Sequence, residues 1–267
     1  MSVRKASVKG SFYPSSPEEI AKMFAYYNEI LDENSDKLSI SKIKPRAVIV
    51  PHAGYIYSAF TANIAYRTLQ NRKPKRVVVI GPSHKVYIKG VSIADYDYYE
   101  TPFGNLKIDE ELNKSLKKNF NIPFVPSAHN EHSTEVQMPF LKYYLNDVSI
   151  VELVYGEEDS KDLKKIINFV LKDRENAVVI STDLSHYYDI KKANTLDNIC
   201  LEAIWRLDTK KLHQGCEACG KIGVEAMILS AKEYNLKPIL LDYRTSADVS
   251  KDDSQVVGYL SVAFTES

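Results

Sequence analysis

The chain has 267 residues, 44% of them hydrophobic and 26% charged, an ordinary balance for a folded protein and enough length to bury a sizeable core. Lys+Arg and Asp+Glu both number 35, so no long-range field draws the chain toward nucleic acid or an anionic membrane. No apolar stretch reaches the ~18–20 residues of a membrane span, Met1 to Tyr13 lacks the apolar core of a secretory signal, and three cysteines are too few for a disulfide framework; the expected location is cytoplasmic and reducing.

Arg46–Pro51 (RAVIVP) reads as a buried strand, Ser58–Leu69 as a helix, Arg76–Ile80 (RVVVI) as a second buried strand and Val91–Ala94 as a short third. Glu110–Lys118 reads as a helix. Thr134–Leu145 reads as another, with Thr134 and Gln137 at the spacing of a capping box. Val148–Val154 is then a strand, Ser160–Lys172 a helix and Ala177–Ser181 (AVVIS) a strand. Ile190–Leu207 and Ile222–Tyr234 read as helices. Pro238–Tyr243 and Val256–Phe264 close the chain as strands suited to antiparallel pairing, which would make the sheet mixed. No repeat or Gly/Ser linker interrupts this order, so residues 1–267 are expected to form one α/β domain.

The reactive side chains sit just past strands. His52 follows one strand directly, His84 comes four residues after another, and Asp183 and His186 follow a third. Ligands of open α/β sheets bind beyond the carboxyl ends of the strands. Pro51 ends the ladder and Gly54 permits a close turn around His52; Gly81-Pro82 does the same before His84. Two imidazoles on two such turns suit a metal site, since neutral imidazole is a common ligand and several must converge.

Asp183 and His186 form D-x-x-H. The acid either orients or assists the histidine, or it caps the next helix and leaves the histidine exposed. His132 and Glu135 stand three apart at a helix start and are expected to line the pocket. His129 reads as part of a polar helix N-terminus. Cys216 and Cys219 make a lone C-x-x-C, a weak zinc signal. Cys219, before Gly220 and a helix, suits a thiolate favoured by the helix N-terminus, and Cys200 reads as core. Tyr13, Tyr55 and Tyr57 lie near the His52 strand end, as pocket walls or as packing.

These motifs carry a resemblance. G-S-F-Y-P at Gly10–Pro14, P-H-A-G-Y at Pro51–Tyr55, G-P-S-H at Gly81–His84 and T-P-F-G at Thr101–Gly104 are similar to those of the Memo family. So are E-H-S-x-E at Glu131–Glu135, S-x-D-x-S-H at Ser181–His186 and C-G-x-x-G-V at Cys219–Val224. The resemblance implies a fold like that of the class III extradiol dioxygenases: a central mixed, mainly parallel sheet flanked by helices. It implies His52, His84 and Cys219 as metal ligands, with iron or copper as cofactor and a redox role. Asp183, His186 and His132 would share the pocket in catalytic roles, and a small molecule or O2 would enter it. A thiolate in place of the dioxygenases' carboxylate shifts preference toward softer metals. Two alternatives accompany this reading: a ring-cleaving Fe(II) dioxygenase, and a non-catalytic module that binds a peptide or protein partner.

Overall fold

Four aliphatic runs make the centre of the sheet. In Pro45–Val50, Ala47 and Ile49 pack into one layer while Val48 and Val50 pack into the other, as the two-residue period of a strand requires. The same alternation runs through Arg76–Pro82, Ser149–Tyr155 and Asn176–Ser181. Strands covered on both faces have no wet side, which is why they read as nearly continuous apolar runs; Glu152 in Ser149–Tyr155 is a buried exception, held by His129 and Thr134.

The computed structural model describes residues 1–33 and 40–266. Its strands are β1 (Val3–Arg4), β2 (Pro45–Val50), β3 (Arg76–Pro82), β4 (Val91–Ile93), β5 (Tyr98–Tyr99), β6 (Leu106–Ile108), β7 (Ser149–Tyr155), β8 (Asn176–Ser181), β9 (His186–Tyr188), β10 (Lys237–Thr245) and β11 (Val256–Thr265). The helices are α1 (Pro17–Glu33), α2 (Tyr55–Arg72), α3 (Glu110–Phe120), α4 (His132–Glu135), α5 (Met138–Tyr144), α6 (Ser160–Leu171), α7 (Ile190–Trp205), α8 (Thr209–Leu212), α9 (Lys221–Glu233) and α10 (Ala247–Ser250). No helix among the described residues is long and apolar enough to cross a membrane.

The strands pair in the order β1-β5-β6-β7-β3-β8-β2-β11-β10, with β4 on β7 and β9 on β11. From β6 to β2 the neighbours are parallel. β11 runs antiparallel to both β2 and β10, so the sheet is mixed and mainly parallel, as predicted. Helices α1, α2 and α5 cover one face and α6, α7 and α9 the other. Because β3, β8 and β2 are adjacent and parallel, they end on one edge, at Pro82, Ser181 and Val50. The loops that leave that edge carry His84, Asp183 and His52.

Four expectations need correction. The helix expected over Thr134–Leu145 is two, α4 and α5, because Pro139 near the start of α5 has no N–H to continue the ladder. Thr134 and Gln137 form no capping box: Glu131 caps α4, Thr134 Oγ1 donates to Glu152, and Gln137 turns inward. His129 is fully buried between Ser92 and Glu152 rather than at a wet helix end. Cys200 is core, as expected, but Cys216 is joined to it in a disulfide rather than acting with Cys219 as a C-x-x-C pair; the chain between them folds back on α7 through α8, a tertiary event with no local signal. Helix α1 went unread because only Ile20 and Phe24 are fully buried in its 17 residues.

Candidate metal centre

His52 leaves β2 through Pro51 and is almost fully buried. Its backbone N–H donates to Asp183 Oδ1 at 2.7 Å, which ties the turn after β2 to the turn after β8. Its Nδ1 lies 2.9 Å from Ser181 Oγ. His84 leaves β3 through Pro82. Gly81 is required there: a Cβ would lie 2.6 Å from Ser133 Oγ and 2.9 Å from Thr134 Cγ2, so only glycine lets α4 close onto the strand end.

That closure brings Glu131 and His132 into the site. Glu131 is buried and accepts the His84 backbone N–H at 2.7 Å and the Ser133 N–H at 3.1 Å. Its Oε1 also lies 3.1 Å from His84 Nδ1 and 2.8 Å from His132 Nδ1. An ionised carboxylate only accepts, so each ring turns an N–H at Nδ1 toward it, and Nε2 is the nitrogen left to bind an ion once the ring is neutral. The His52 ring centroid stands 5.1 Å from that of His84 and 5.3 Å from that of His132; those two are 4.7 Å apart. One ligand nitrogen from each of His52, His84 and His132 falls within 4.8 Å of the others, so this cluster could hold a metal ion.

Cys219 reaches His52 from the turn before α9. It precedes α9, whose first residues follow Gly220. Its Sγ lies 3.3 Å from His52 Nε2 and accepts the Asp183 backbone N–H at 3.3 Å. It is the free cysteine among the described residues. Asp183 Oδ2 stands 3.9 Å from His52 Nε2. Phe12 packs on the His132 ring at 4.7 Å between centroids and helps wall the site.

The electrostatics favour a cation. Burial first, then the neighbouring His84 and His132, holds His52 well below the usual histidine range, so its ring is neutral. Burial opposes a charge on His84 too, but Cys219 and Glu131 outweigh it and push its pKa up to about 10. Whatever favours a proton there also favours a metal ion in its place. Glu131 is held far below the carboxylate range: burial opposes this, and its bonds from His132, His84 and two backbone amides prevail. Burial pushes the Asp183 carboxyl up, against the His52 and Ala53 amides that donate to it.

The chain matches the family model described as Memo-like protein over residues 4–263. The chain belongs to the Memo family. A MEMO1 family protein of Aquifex aeolicus is 38% identical over 99% of this chain and 100% of its own length. Another, from Sulfurisphaera tokodaii, is 34% identical over 98% and 99%. One from Methanobrevibacter smithii is 34% identical with the same coverage.

Within this Memo fold the predicted residues sort clearly. His52, His84, His132, Cys219 and Asp183 converge. His186 sits half-buried on β9, within electrostatic range of His52 and Asp183, and its ring packs against Tyr187 at 5.8 Å. Asp183 caps no helix; Asp189 caps α7. Glu135 does not line the pocket. It points to the back of α4, where it accepts from the amides of Ser7 and Val8 and from Tyr13 Oη. Tyr13 and Tyr55 are packing residues, the latter donating to the Val136 carbonyl. Glu131, Gln137 and Ser181 were missed as functional residues. For Glu131 the available signal was an acid directly before His132 in E-H-S-x-E.

Proposed function

We propose that the protein is a metal-dependent redox protein that holds one iron or copper ion between His52, His84 and Cys219, with His132 at the same centre. The observation that carries this reading is the donor set. Two imidazoles have Nδ1 engaged by one buried carboxylate, a third has Nδ1 on a serine, and a free cysteine stands 3.3 Å from His52 Nε2. Outward nitrogens held by partners and inward nitrogens left bare are what a ligand set requires. Mixed imidazole and thiolate donors suit iron and copper better than magnesium or calcium. A bound ion of either kind supplies one-electron exchange and an open position for a small molecule. Asp183, beside His52 and within charge range of His186, accepts or returns a proton at the mouth. The cytoplasm is the proposed location.

Elemental analysis of protein purified without chelator tests this. The expected result is about one iron or copper per chain, as for a single ligand set. His52→Ala should reduce it to background, and Cys219→Ser should weaken retention more than Cys216→Ser does. His132→Ala then decides whether the third nitrogen binds the ion. Metal far below stoichiometry in the wild type, unchanged in His52→Ala, would overturn the proposal.

A second reading, a ring-cleaving Fe(II) dioxygenase, draws on Asp183 Oδ2 at 3.9 Å from His52 Nε2, which offers a carboxylate beside two histidines. Anaerobic Fe(II) loading followed by a catechol panel separates the two; absence of any ring-opened product removes this one.

A further inference from the structure

The hydrogen bonds behind His52 point to Ser181 as a positioning residue, held by Gln137, that decides which nitrogen of His52 faces the centre; this rests on reading His52 as a metal ligand. We infer it from groups whose roles are fixed by chemistry. The Pro51 carbonyl can only accept, so the Gln137 atom 2.9 Å from it is the amide nitrogen, Nε2. The same orientation lets Gln137 Oε1 accept the Tyr66 hydroxyl at 2.9 Å. Gln137 Nε2 also donates to Ser181 Oγ at 3.0 Å. The Ser133 carbonyl, 2.5 Å from Ser181 Oγ, can again only accept, so the single Ser181 proton goes there.

One lone pair on Ser181 Oγ remains, and His52 Nδ1 is 2.9 Å away. Nδ1 must therefore carry hydrogen. In the neutral ring the free pair is then on Nε2, the nitrogen beside Cys219. The opposite tautomer would take the Ser181 proton and leave the Ser133 carbonyl without it. Tyr66, Ser133, Gln137 and Ser181 are all fully buried, so solvent does not exchange these roles. His84 and His132 are oriented by a carboxylate. His52 is oriented by an uncharged relay that runs from Tyr66 through Gln137 and Ser181.

The test uses full-length, metal-free protein with 15N-labelled histidine and a long-range proton–nitrogen correlation, His52 being identified by its loss in His52→Gln. The wild type should show hydrogen on Nδ1 and a bare Nε2. Ser181→Ala should move hydrogen to Nε2, where Cys219 Sγ is the remaining acceptor. Ser181→Thr, which keeps the hydroxyl, should restore the wild-type pattern. In chelator competition with Cu(I), Ser181→Ala should bind about 10–100-fold more weakly and Ser181→Thr should recover. Hydrogen on Nε2 in the wild type overturns the inference without any variant. A tautomer change in Ser181→Ala with unchanged Cu(I) affinity overturns the positioning role. A wild type with the expected tautomer that takes up no iron or copper sinks the metal reading and supports the relay.

Discussion

Glu131 acts on two imidazoles and two backbone amides at once. No solvent replaces it, because it is buried under the site it orients. Glu131→Gln keeps the size of the side chain but turns one acceptor oxygen into a donor, which then faces an N–H. Metal affinity should fall about 10–100-fold, the usual cost of losing an outer partner of a ligand. Stability should fall by about 1–3 kcal/mol, since a buried donor loses its acceptor. Chelator competition and urea unfolding measure the two. Unchanged values in both would show that Glu131 does not orient the rings. Sequence reading reached His52 and His84 because each follows an apolar run and a Pro or Gly-Pro turn. It passed over Glu131 because an acid at a helix start is normally read as a favourable surface charge, and only the packing of α4 onto Gly81 turns it inward.

Two close approaches between elements set the geometry of the site. One is α4 on β3 at Gly81. The other is the start of α9 on the end of β8, where a Cβ on Gly220 would lie 2.7 Å from Thr182 Cβ and 2.8 Å from the Ser181 carbonyl. Those atoms are backbone or next to it and cannot swing aside. Gly220→Ala should therefore push α9 off β8 and draw Cys219 away from His52. The expected cost is about 1–3 kcal/mol of stability, as for overpacking a close contact, with reduced metal retention. Thermal unfolding and elemental analysis follow both, and an alanine variant as stable and as metal-rich as the wild type would refute the steric account. The strands and the long helices could be read from sequence because their apolar periods are local. The α4/α5 break rested on Pro139, a local signal that the helical pattern around it outweighed. The Cys200–Cys216 bridge had no local signal at all.

At the scale of the whole molecule, the N-terminal segment is tied to the back of the site. β1 pairs in parallel with β5 near one edge of the sheet. From there the Arg4 guanidinium donates to the His129 carbonyl, ahead of α4, at 2.7 Å and forms a buried ion pair with Glu135 of α4. Glu135 also accepts from Ser7 N and Oγ at 2.9 and 2.7 Å, Val8 N at 2.8 Å and Tyr13 Oη at 2.8 Å. One face of α4 thus presents His132 to the centre while Glu135 anchors the start of the chain. Burial works against the Glu135 charge, but Arg4 and the Ser7 and Val8 donors outweigh it and hold its pKa below the usual range. An unfolded glutamate titrates near ~4.3. As pH falls, the unfolded chain takes the proton first. Stability from Glu135 is therefore complete above about pH 4.3 and is lost as pH drops through the lower folded value. Urea midpoints measured from about pH 6 to about pH 3 should fall more steeply for the wild type than for Glu135→Gln. At neutral pH, Arg4→Ala leaves a buried carboxylate without its cation and should cost about 3–5 kcal/mol. That deficit should shrink in acid, where the carboxylate is neutralised. Parallel pH profiles for the wild type and Glu135→Gln, or an Arg4→Ala deficit independent of pH, would show that the ion pair is not what fixes the N-terminal segment to α4.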